Sequence, residues 1–101
     1  MQDSEFVAKV AIVLNNIIDN IEMQDIDGEI DIDSNNGTML TIITSDGTFV
    51  INKQSSVQEI WLSSPISGPY HFIFSENAWK SRYGIELFSL LTDELKIQFS
   101  N

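Results

Sequence analysis

Residues 51–62 read INKQSSVQEIWL, and the side each residue faces decides the fold. Side chains alternate along a strand, so Ile51 and Lys53 point one way while Asn52 and Gln54 point the other. In the same way, Ile60 and Leu62 in the core would place Trp61 on the opposite side. The largest apolar side chain then shares a face with Asn and Gln. A one-residue slip would bury Trp61 but expose Ile60 and Leu62 together, a poorer solution. The pattern describes a sheet covered on one face, with Trp61 on the uncovered one.

Upstream, the period of two starts near Gly28. Ile30 and Ile32 alternate with Glu29, Asp31 and Asp33, and SNNG (34–37) reads as a turn. TMLTIIT gives a second strand, with Asp46-Gly47 the hairpin signal before TFVINKQ. EIWLSS and YHFIF complete five strands joined by short turns, an antiparallel meander. The segment SENAWKSRYG reads as irregular.

Both ends of the chain carry helical periodicity. Phe6, Val10, Val13, Leu14, Ile17, Ile18 and Ile21 recur at three- and four-residue steps, an amphipathic helix of about 20 residues. Asp3 and Ser4 are the expected N-caps, with Glu5 in the first turn. Leu87, Phe88, Leu91 and Leu95 define a second helix, and Trp79 is expected to pack beneath it. Two apolar helix stripes and one sheet face bury one another most economically as an α+β two-layer sandwich. Its sheet has five to six antiparallel strands, with both helices on one face. The 101 residues fit one domain, 1–101.

Composition narrows the chemistry. There is no cysteine and a single histidine, His71, which removes thiolate chemistry and any His-based metal cluster within one chain. His71 has no identifiable nucleophile partner, and the expectation is that the protein is not an enzyme. No apolar run approaches the ~20 residues of a membrane span. The N-terminus lacks the features of a signal or transit peptide, so a cytoplasmic or matrix-like setting is expected.

The net charge of −10 is unevenly spread. Residues 10–52 contain eight acids and no Lys or Arg, and carry −8 of the total. Such a surface repels nucleic acid and anionic lipid and attracts cations or basic proteins. Asp19 and Glu22 are three apart on a helix and share a face. Glu29, Asp31 and Asp33 share one face of a strand. All-carboxylate donors suit hard cations and include no soft ligand. An ordinary solvated face would intersperse the two signs of charge. DIDSNNG (31–37) is not a calcium-binding EF-hand loop, since Asn36 stands where that loop needs Gly and Ile42 where it needs Glu.

GTFVINKQ (47–54), IWLSSPISGPYHF (60–72) and the spaced Trp79…Leu95 pattern resemble the frataxin family, specifically its bacterial branch. The resemblance covers essentially the whole chain and implies the same two-layer sandwich. It further implies weak, exchangeable binding of ferrous or ferric iron on an acidic ridge, here Asp19, Glu22, Asp25, Asp27, Glu29, Asp31 and Asp33. The implied partners are a cysteine desulfurase and an iron–sulfur scaffold protein. They would be met through Asn52, Lys53, Gln54 and Trp61, by a monomer able to associate in the presence of iron. The implied function is regulation of iron–sulfur cluster assembly, with iron donation; a ferroxidase or a plain acidic interaction module are the alternatives. Asn15, Asn16, Asn20 and Gln24 depart from the family in carrying amides where acids are frequent, which predicts fewer or weaker metal sites.

Overall fold

In the computed structural model, which describes residues 1–35 and 37–99, two helices flank a six-stranded sheet. Helix α1 spans Asp3–Gln24. The strands β1 (Asp31–Asn35), β2 (Met39–Thr44), β3 (Gly47–Gln54), β4 (Glu59–Ser64), β5 (Gly68–Ser75) and β6 (Ala78–Lys80) follow, and then helix α2 (Leu87–Leu95). The strands lie side by side in sequence order, every neighbouring pair antiparallel.

The core lies on one face of this sheet. Leu40, Ile42, Phe49, Ile51, Ile60, Leu62 and Phe72 are buried together with Phe6, Val10, Ile17 and Ile21 of α1 and Leu87, Leu91 and Leu95 of α2. The alternation read from residues 51–62 therefore holds: Ile51 pairs with Leu62 on the covered side, and Asn52 with Trp61 on the other.

Local chemistry departs from the sequence expectations at four points. The cap of α1 is Gln2, without a side-chain bond; Asp3 and Glu5 sit in the first turn, where the helix dipole favours them. The first strand begins at Asp31 and not at Gly28. Asp25 Oδ1 accepts the Glu29 N–H at 2.9 Å, Oδ2 accepts the Ile30 N–H at 2.9 Å, and Gly28 turns the chain at φ +66°. Those two amides are thus bonded to a side chain instead of a neighbouring strand.

The segment read as irregular contains β6. Glu76 and Asn77, at φ 55° and 62°, make a two-residue hairpin turn that needs positive φ at both positions. Trp79 is buried; its ring meets Phe6 of α1 and Phe74 of β5, at centroid separations of 6.0 and 5.4 Å, and it shares the core with Leu87 and Leu91 of α2. Asn36, assigned to the SNNG turn, lies outside the described residues.

The fourth departure concerns the amides of α1. Asn20 Nδ2 donates to Asn16 Oδ1 at 2.6 Å, and Gln24 Nε2 donates to the Gln98 carbonyl at 2.7 Å. Gln24 Oε1 in turn accepts the Gln98 N–H at 2.8 Å. Asn16, Asn20 and Gln24 therefore form a half-buried ladder at four-residue steps that clamps the C-terminal segment. Among the four amides only Asn15 is exposed, so for the other three a carboxylate would disrupt packing and could not simply add a metal ligand.

Candidate functional site

The acids between residues 19 and 33 gather at one edge of the molecule. Asp19 and Glu22 are exposed on the C-terminal half of α1, Asp27 and Glu29 are exposed in the connection, and Asp31 and Asp33 project from the edge strand β1. Asp31 and Asp33 pair with Ile43 and Thr41, on the uncovered face of the sheet. Among the described residues the ion pairs are His71–Glu59 and Lys80–Glu76, so no ridge carboxylate has a cation of its own chain within 4.0 Å.

The structure divides this set. Asp25 has both oxygens committed to backbone N–H groups and holds the turn from α1 to β1. Of the remaining six, Asp19 and Glu22 share a helix face and Asp31 and Asp33 stand about 7 Å apart along the strand, while Asp27 and Glu29 lie in the connection. Among the described residues no three Asp, Glu or His side chains converge where they could hold one metal ion. Hard oxygen donors offered two at a time to solvent suit loose, exchangeable cation binding.

The open face continues from this edge. Asn35, Met39, Asn52, Trp61 and His71 form one row across β1 to β5. Trp61 and His71 are directly opposite, and their rings stack at 4.1 Å with an interplanar angle of 6°. The Trp61 Nε1–H donates to Glu59 Oε1 at 2.6 Å, and the same oxygen lies 3.8 Å from His71 Nδ1. Glu59 and His71 thus fix the half-buried indole in one orientation on the uncovered face. Gln54 lies in the next row, opposite Glu59. Lys53 does not join them: it pairs with Ile60 and so has the parity of the covered face.

Glu59 is the residue the sequence reading missed. The signal was available, because a residue two before Trp61 on a strand must share its face. The partnership of His71 with Trp61 is invisible in sequence, since only the β4–β5 register sets the two opposite each other.

Comparison with known proteins follows the same lines. A family model described as "Frataxin-like domain" matches residues 1–101. The chain is 37% identical over 103 residues to mitochondrial frataxin of Arabidopsis thaliana, covering 95% of this chain and 54% of that protein. It therefore spans about half the length of that curated relative. A solved frataxin from Psychromonas ingrahamii superposes with a TM-score of 0.87 over 100% of both chains at 24% identity, a likeness of fold. Trimeric frataxin from the yeast Saccharomyces cerevisiae, complexed with ferrous iron, gives a TM-score of 0.77 at 32% identity over 86% of this chain and 81% of that one. Sequence along the whole length and the shared sandwich agree: the chain belongs to the frataxin-like domain family.

Proposed function

We propose that this protein is a non-enzymatic regulator of iron–sulfur cluster assembly that binds iron weakly and docks on a cysteine desulfurase and its scaffold protein. The observation that carries the reading is the continuity of two surfaces: an acidic edge with no cation of its own, and an open face that presents an indole held by Glu59 and His71. The edge supplies long-range attraction to a basic counter-surface, and Trp61 with Asn52 and Gln54 supplies the close contact. Paired, exposed carboxylates would load and release ferrous iron readily, as a donor or sensor requires. The yeast relative's complex with ferrous iron supports the cargo. A bacterial, cytoplasmic setting is part of the proposal, beside an Arabidopsis relative that is mitochondrial by name.

The test is calorimetric titration of the protein into a purified cysteine desulfurase at 50 and 500 mM salt, with Trp61→Ala alongside. Affinity should fall with salt and fall again with the variant. Affinity independent of both would remove the docking role. Oxygen uptake on adding ferrous iron, in excess of the protein-free rate, would favour the ferroxidase alternative instead.

A further inference from the structure

On the helical side, at the edge opposite the acids, α1, β6 and the start of α2 leave a groove of about 230 Å³. Phe74, Trp79 and Phe88 make its aromatic walls, and Ile12 stands at its rim. One cation looks into it: the Lys9 ammonium lies 4.5 Å from the centroid of the Phe74 ring. Glu86 also borders the groove, but its carboxylate caps α2, accepting the Phe88 and Ser89 N–H groups at 3.0 Å each. Among the described residues neither ion pair involves Lys9, so Glu5, one helical turn earlier, does not neutralise it at contact distance.

We infer that this groove binds a small aromatic monocarboxylate, its ring between Trp79 and Phe88 and its carboxylate on Lys9. The volume, below the usual range for drug-sized ligands, admits one ring with a short acidic tail. Three aromatic walls favour a flat apolar body through offset or edge contacts. A half-buried ammonium over a ring face, without a carboxylate partner, selects an anion over a neutral analogue.

The molecule's large negative charge does not forbid this. Asp31 and Asp33 lie on β1, five strand spacings or roughly 24 Å from β6, and Asp19 lies ten residues or about 15 Å along α1 from Lys9, both beyond the screening length of about 10 Å at 0.1 M salt. Lys9 is the basic residue that lines the groove, and Glu86 is the acidic one, its carboxylate engaged at the α2 cap.

The experiment titrates 3-phenylpropionate and its neutral isostere 3-phenylpropanamide into the isotopically labelled protein, followed by amide and indole NMR shifts. Saturable shifts centred on Trp79 and Phe88 are expected, with the carboxylate at least fivefold tighter than the amide. Lys9→Met should reduce the carboxylate to the level of the amide and leave the amide unchanged. Ile12→Glu, at an exposed rim position where folding is not at stake, should weaken the carboxylate alone. Unsaturable shifts, shifts centred on Trp61, or equal carboxylate affinity in wild type and both variants would overturn the inference.

Discussion

Trp61→Ala removes an indole whose contacts can be taken one at a time. The stack on His71, at 4.1 Å and nearly parallel, contributes about 0.5–1.5 kcal/mol beyond area burial. The bond from Nε1 to Glu59 contributes about 1 kcal/mol net, less than a fully buried charged bond because both groups keep contact with water. No core cavity opens, since Trp61 lies on the uncovered face, and Glu59 can turn to solvent. Together these give a loss of about 1.5–2.5 kcal/mol, equivalent to a fall in Tm of roughly 7–12 °C for a chain of this size. Trp79→Ala is the internal standard: that ring is 3% exposed between Phe6 and Phe74, and its loss should cost about 3–5 kcal/mol. Urea unfolding of both variants, followed by far-ultraviolet circular dichroism, makes the comparison in one buffer. Equal destabilisation by the two substitutions would refute the assignment of Trp61 to an open face.

The acids should behave differently from one another. Asp31→Asn relieves repulsion from Asp33, about 0.3 kcal/mol at 7 Å in 0.1 M salt, and should raise Tm slightly. Asp25→Asn replaces one of two acceptors with a donor facing a backbone N–H, and should lower stability by about 1–2 kcal/mol in the same melts. Gln24→Glu should also destabilise, because a carboxylate cannot donate to the Gln98 carbonyl; loss of amide-exchange protection at residues 97–99 would show the clamp opening. Charge reversal at Asp19 and Glu22 should slow association with a cysteine desulfurase by tenfold or more at low salt and change dissociation little, as read by stopped flow.

What could be read without coordinates was whatever repeats with a period. The helical stripe from Phe6 to Ile21, the alternation in residues 51–62 and the tight turn within SDGT are properties of several residues acting together, and each survived, the turn itself falling on Ser45 and Asp46 with Gly47 opening β3. What escaped were single side chains bonding to backbone. Asp25 ends one element and delays the next, Glu86 caps α2, and Gln24 substitutes for a strand partner of residue 98. None of these alters a hydrophobic period, so pattern reading passes over them. The turn before β6 escaped because Glu76 is an unusual occupant of a left-handed position. The ridge was legible as charge but not as geometry. Seven acids in fifteen residues look alike in sequence, yet one is a structural clamp, and among the described residues no three of the others converge.

The central claim is that the acidic edge and the Trp61 face form one docking surface, with iron loosely held on the first. Amide and indole shift mapping tests it most directly, once with ferrous iron and once with a cysteine desulfurase. Iron should first broaden resonances of residues 19–33, leaving Trp61 unmoved. The desulfurase should shift that edge together with Asn52, Trp61 and His71, and leave α2 unchanged. Desulfurase shifts confined to the helical side, or first iron broadening around His71 or α2, would contradict the account.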